Sequence, residues 1–107
     1  MVTDFVSFYS LPSSILDPET DTRTGTLENA YLWYTVATSI PRSTLISNVV
    51  TLAKQEGFDA FTALGIAGLP DDLIQCKFVK GTGTLRYYLF NWRGKMLHDA
   101  SVGFVAL

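Results

Sequence analysis

The sequence predicts an α+β (mixed α/β) fold, on three observations. Residues 4–9 and 30–37 are rich in aromatic and β-branched side chains and read as strands. Residues 45–53 space their apolar side chains at helical intervals. From Phe58 onward short strand and helix signals alternate, so neither class of element dominates.

In chain order, Asp4-Phe5-Val6-Ser7-Phe8-Tyr9 alternates as a first strand. Leu11-Pro12-Ser13-Ser14 ends it, because proline has no N–H for a ladder, and this leaves Ser13 and Ser14 as turn residues. Residues 17–25, DPETDTRTG, form the clearest loop. The near-continuous apolar run 30–37 suits a central strand covered on both faces. In the helix that follows, Leu45, Ile46, Val49, Val50 and Ala53 share one face. Ser39 is its expected N-cap and Pro41 falls in its first turn. Lys54 sits near its end, with Gly57 at the left-handed position beyond. Residues 58–64 give a short strand, and Pro70 followed by Asp71 and Asp72 gives a helix start. Residues 80–84 read as a turn, 85–92 as the strongest strand, 93–101 as a polar connection and 102–107 as a closing strand.

Composition narrows the function classes. The 107 residues are enough for one domain. With 48% hydrophobic residues, the chain needs a dense core, an apolar pocket or a partner surface. A net charge of −2 without a Lys/Arg cluster argues against nucleic-acid binding. The apolar runs are too short for a membrane span, and no basic-then-apolar leader is present. The single cysteine, Cys76, cannot form an internal disulfide, which points to a reducing compartment such as the cytoplasm. One His and one Cys argue against a zinc site within the chain, and no metal is expected.

The candidate chemistry has simpler explanations at each place. Gly81-Thr82-Gly83 has the backbone for an anion cradle, yet lacks the spacing and lysine of a phosphate loop and reads first as a glycine turn. Tyr87 and Tyr88 face opposite sides of a strand, and packing accounts for both. His98 beside Asp99 has no motif-placed nucleophile. Cys76 has no evident histidine partner and reads as a packing residue. Asp71-Asp72 and the acids of residues 17–21 fit a helix start and a solvated loop. The ending is the unusual element: Val102-Gly103-Phe104-Val105-Ala106-Leu107 is an apolar run without a polar tail. As a buried strand it would carry the α-carboxylate of Leu107 inside, where a carboxylate can act as an acid or base.

Several segments taken in order resemble one family. Asp4-Phe5-Val6-Ser7-Phe8-Tyr9-Ser10-Leu11-Pro12-Ser13 resembles the DF-x-SFYTLPS segment of N-myristoyltransferases. Asn29-Ala30-Tyr31-Leu32-Trp33-Tyr34, residues 52–61 (LAKQEGFDAF) and residues 85–92 (LRYYLFNW) follow in the family's order. Lys77-Phe78-Val79-Lys80-Gly81-Thr82-Gly83 stands where the family has K-F-G-x-G-D-G, and the terminal leucine resembles the fungal members.

The resemblance implies the C-terminal, peptide-binding part of a GNAT-like acyltransferase. Such an enzyme moves myristoyl from myristoyl-CoA to the N-terminal glycine of proteins. The acyl-CoA site and oxyanion hole belong to the first half, so the chain by itself is expected to bind no cofactor and to be inactive. A non-catalytic peptide-binding module with the same half-fold is the alternative. By the resemblance, the carboxylate of Leu107 is the general base for the glycine ammonium. An α-carboxyl group ordinarily titrates at about 3.5 and an α-amino group near 8, and burial narrows that gap. Ser13, Tyr31, Thr82, Gly83, Leu85 and Ala106 are the implied peptide-contacting positions. Val79 replaces a family glycine and restricts the backbone, and Thr82 replaces an aspartate and removes a negative charge.

Overall fold

Alternating aromatic and apolar residues build the first strand, β1 (Phe5–Ser10), and the strands that follow are β2 (Ser13–Leu16), β3 (Arg23–Leu27) and β4 (Asn29–Val36). Helix α1 (Arg42–Gln55), strand β5 (Ala60–Thr62), helix α2 (Leu69–Gln75) and a 3₁₀ turn, Asp99–Ser101, complete the order. This computed structural model describes residues 1–103. They fall into two units, Met1–Leu64 and a second that begins at Gly65.

The mixed α/β class is as expected. In the first unit a three-stranded sheet has the order β1-β4-β5, with β1 antiparallel and β5 parallel to the central β4. β2 and β3 form a second, antiparallel pair. The two ladders meet where the Leu11 N–H donates to the Asn29 carbonyl at 2.9 Å. Pro12 occupies the break between them, where its missing N–H costs no ladder bond. The chain therefore resumes pairing after Pro12, and Ser13 and Ser14 are strand residues, opposite Leu27 and Thr26, rather than turn residues. The expected loop 17–25 is likewise shorter, because Arg23–Gly25 lie in β3. Its turn closes with the Asp17 N–H donating to the Thr22 carbonyl at 2.9 Å. The Asp17 carboxylate accepts the Glu19 N–H at 2.9 Å, which holds its pKa below the usual value.

β4 is central but covered only at its beginning. Asn29 and Ala30 are buried, whereas Trp33 and Tyr34 are 39% and 48% exposed. The expectation of two covered faces fails for the second half of the strand.

Helix α1 forms the buried face that its sequence periodicity predicts: Ile46, Val49 and Ala53 are buried, with Leu45 and Val50 half-buried beside them. Its N-cap is Pro41, whose carbonyl accepts the N–H groups of Thr44 and Leu45 at 3.0 and 3.2 Å. Ser39 is not the cap, because its hydroxyl donates to Asp4 instead. The Asp4 carboxylate also accepts the Thr38 and Ser39 N–H groups at 2.8 and 3.1 Å and the Thr3 hydroxyl at 2.7 Å. The Ser39 hydroxyl, then that of Thr3, hold its pKa far below the usual carboxylate range. Asp4 thus ties the start of β1 to the connection between β4 and α1.

The C-terminus of α1 closes as the sequence predicts. Gly57 adopts φ +89°, its N–H donates to the Lys54 carbonyl, and the Phe58 N–H donates to the Ala53 carbonyl, both at 3.1 Å. This places Phe58 edge-on against Phe8, with ring centroids 5.6 Å apart. Phe61 of β5, the expected short strand, meets the same Phe8 ring at 5.8 Å.

In the second unit α2 has Pro70 in its first turn with Asp71 and Asp72, and it buries Leu69 and Leu73. It ends like α1, although the left-handed position, φ +63°, is held by Lys77. The Phe78 N–H donates to the Leu73 carbonyl at 2.9 Å. Residues 85–92, expected as the strongest strand, are not a strand, and their apolar side chains are exposed, Phe90 at 92%. Strand propensity is realised only against a partner edge, and the second unit has no strand among its described residues. The turn at 80–84 therefore joins no strands. The closing strand at 102–107 falls mostly outside the described residues, and Val102 and Gly103 are not in a strand.

Candidate functional site

The pairing of β1 with β4 decides which side chains share a face. Phe8 lies opposite Leu32, Tyr9 opposite Tyr31 and Ser10 opposite Ala30. Across the sheet, Phe61 lies beside Ala30 and Thr62 beside Tyr31. Paired residues point the same way and neighbours along a strand point oppositely. One face therefore carries Phe8, Ala30, Leu32 and Phe61. Val6, Ser7 and Phe8 line an open groove of ≈370 Å³ with Leu45, Asn48, Val49 and Leu52 of α1. The other face carries Tyr9, Tyr31 and Trp33, with Asn29 and Thr62.

On that second face the rings of Tyr9 and Tyr31 stack, 5.4 Å apart with 12° between their planes. Trp33 meets Tyr9 edge-on at 6.4 Å, and Tyr34 tilts against Trp33 at 4.6 Å. A polar string runs beneath: the Thr62 hydroxyl donates to Asn29 Oδ1 at 3.0 Å, and Asn29 Nδ2 donates to the Tyr31 hydroxyl at 3.2 Å. Because Asn29 is only 8% exposed, these bonds satisfy an amide that would be costly to bury unpaired. They also fix the Tyr31 ring at its hydroxyl end. The arrangement is an amphipathic surface: large flat rings for contact, and hydroxyls at their rims for hydrogen bonds.

Of the residues singled out in the sequence, Tyr31 lies at the centre of this face and Ser13 is half-buried at the start of β2. Thr82, Gly83 and Leu85 belong to the second unit and are exposed. Neither Gly81 nor Gly83 is in the left-handed region, and a side chain added at either would meet open space, so this segment forms no close-fitting cradle. Ala106 and Leu107 lie outside the described residues. His98 is exposed, and its Nδ1 accepts the Ala100 N–H at 3.4 Å, a local turn contact. Cys76 is half-buried at the end of α2. Asp71 is exposed and Asp72 half-buried, both in the first turn of that helix.

Tyr9, Trp33 and Tyr34 were not among the expected site residues. The two-residue spacing of Tyr31 and Trp33, and the alternation that ends in Tyr9, are the signals that could have found the first two. Tyr34 has no such signal, since regular alternation would send it to the opposite face.

No described helix is long and apolar enough to cross a membrane. Residues 1–103 match the family profile of the myristoyl-CoA:protein N-myristoyltransferase C-terminal domain. The chain is 44% identical to glycylpeptide N-tetradecanoyltransferase 1 of Arabidopsis thaliana, across 99% of this chain and 24% of that protein. It is 41% identical to a probable glycylpeptide N-tetradecanoyltransferase of Caenorhabditis elegans, across 97% of this chain and 22% of that protein. Identity to glycylpeptide N-tetradecanoyltransferase 2 of Danio rerio is 39%, across 98% and 21%. The chain thus spans between a fifth and a quarter of the length of these relatives. With a profile match over nearly its whole length, the chain belongs to the N-myristoyltransferase family, as its C-terminal domain, and so to the GNAT-like fold of that domain.

Proposed function

We propose that this chain supplies part of the peptide-binding surface of an acyltransferase that moves myristoyl from myristoyl-CoA to the N-terminal glycine of proteins. The observation that carries the reading is the aromatic face of Tyr9, Tyr31 and Trp33, in a chain of this family. Tyrosine and tryptophan give contact area with little loss of side-chain freedom, and the Asn29–Tyr31 bond removes more of that freedom in advance. Ser13 is the second proposed contact in the first unit, and Thr82, Gly83, Leu85 and Ala106 are proposed contacts from the remainder of the chain.

The reaction needs a neutral amine. We assign the proton acceptor to the α-carboxylate of Leu107, by the resemblance of the closing segment to the family. The glycine ammonium loses one proton to it and the amine nitrogen attacks the thioester carbonyl. As the C–S bond breaks, the nitrogen loses its second proton to become the amide, and that proton converts the departing CoA thiolate to the thiol. Myristoyl-CoA is the co-substrate of the whole enzyme. Its site and the oxyanion-stabilising groups are assigned to the preceding part of the polypeptide, the partner this domain requires. The single cysteine, Cys76, suits a reducing, cytoplasmic setting.

The test is acyl transfer by the full-length polypeptide to paired peptides that begin with glycine or alanine, followed by mass spectrometry. A myristoyl adduct on the glycine peptide alone is expected. Binding of the glycine peptide without any adduct would replace this reading with a non-catalytic peptide-binding module.

A further inference from the structure

The ladder between β1 and β4 contains an irregularity that shapes the aromatic face. Phe8 lies opposite Leu32 and Val6 opposite Thr35, so the register shifts between Val6 and Phe8. Two residues of β4, Trp33 and Tyr34, therefore stand opposite the single residue Ser7, which is a β-bulge. The Ser7 hydroxyl fills the gap in the ladder. It accepts the Tyr34 N–H at 3.0 Å and donates to the Tyr34 carbonyl at 3.3 Å, so one side chain engages both backbone groups of the extra residue.

The bulge has two consequences. Consecutive strand residues ordinarily point to opposite faces. Here the rings of Trp33 and Tyr34 meet with centroids 4.6 Å apart, which joins Tyr34 to the surface of Tyr9, Tyr31 and Trp33. Thr35 replaces Tyr34 opposite Val6, on the side that lines the groove against α1. The Thr35 hydroxyl is then buried without a hydrogen bond. An unsatisfied buried hydroxyl opposes folding. Bulges are over-represented at sheet edges, such as β1 here, and next to active sites, where they re-aim a side chain.

We propose that Ser7 is a positioning residue for peptide recognition: by locking the bulge it swings Tyr34 onto Trp33 and extends the aromatic surface along β4. This rests on the reading of the sheet face as a peptide surface. The substrate class it serves is a peptide long enough to lie across several rings in an extended conformation.

The test measures peptide KM and kcat in the full-length enzyme for Ser7→Ala, Ser7→Thr and Trp33→Ala, with a long and a short glycine peptide. Ser7→Ala is expected to raise KM for the long peptide roughly three- to tenfold, the range for loss of one aromatic contact. The effect on kcat and on the short peptide is expected to be smaller, and Ser7→Thr, which restores the hydroxyl, is expected to recover most of the loss. A merely structural role predicts parallel losses for both peptides and would overturn the proposal. A raised KM in Trp33→Ala with none in Ser7→Ala would also overturn it, while sparing the peptide-surface reading. Unchanged KM in both variants would overturn both. Absence of transfer by the unaltered enzyme would overturn the acyltransferase reading instead.

Discussion

If the Leu107 carboxylate takes the proton as proposed, adding one glycine after it in the full-length enzyme is expected to lower kcat by about 10²- to 10⁴-fold, the range for loss of a positioned general base. The extension leaves every side chain intact. It converts the Leu107 carboxylate into a neutral amide and moves the free carboxylate by about 3.8 Å along the chain. A displacement of that size exceeds what proximity catalysis tolerates. Peptide KM is expected to change much less, because the proposed peptide surface on β1 and β4 is untouched. Single-turnover kinetics with a glycine peptide separate these quantities. Unchanged turnover would show that another group takes the proton, and would remove Leu107 from the mechanism while leaving the peptide surface in place.

Replacing Ile46 by alanine destabilises α1 by about 2–5 kcal/mol, and Ile46→Val by about 0.5–1.5 kcal/mol. Ile46 is 0% exposed and is the largest fully buried side chain among the described residues. It lies on the buried stripe of α1 with Val49 and Ala53, and α1 packs against β1 and β4. Truncation leaves a void into which close-packed surroundings relax only partly. Leu52→Ala on the same helix is a control. Leu52 lines the open groove and is 47% exposed, so its loss removes much less buried area. Hydrogen exchange of the α1 amides in the full-length protein reads the difference locally. Equal protection in the Ile46 and Leu52 variants would mean that α1 is not held by this stripe.

Both predictions draw on features that were legible in the sequence to different degrees. Helix α1 was readable because its signals agree: apolar spacing, Lys54 in the last turn, and a glycine where φ is positive. Its start was misassigned because Ser39 is a good cap in isolation, whereas Asp4, thirty-five residues away, competes for its hydroxyl. Local preference cannot register such a partner. The same limit explains Pro12, which ends one ladder yet permits another to begin at Ser13. It also explains residues 85–92, where six aromatic or apolar side chains specify a strand but no described strand pairs with them. The candidate site was half readable. Tyr31 came through resemblance, and Tyr9 and Trp33 follow from alternation. Tyr34 required the bulge, and a bulge is a property of two paired strands that neither strand announces alone.

Photo-crosslinking tests the central claim most directly. A glycine peptide carrying a benzophenone side chain, bound to the full-length enzyme with a non-hydrolysable acyl-CoA analogue, reports by mass spectrometry the residues it touches. The peptide-surface account predicts adducts on Tyr9, Tyr31 and Trp33, suppressed by excess unlabelled glycine peptide and not by an alanine-first peptide. Competed adducts confined to the groove between β1 and α1, at Leu45 or Leu52, would contradict it.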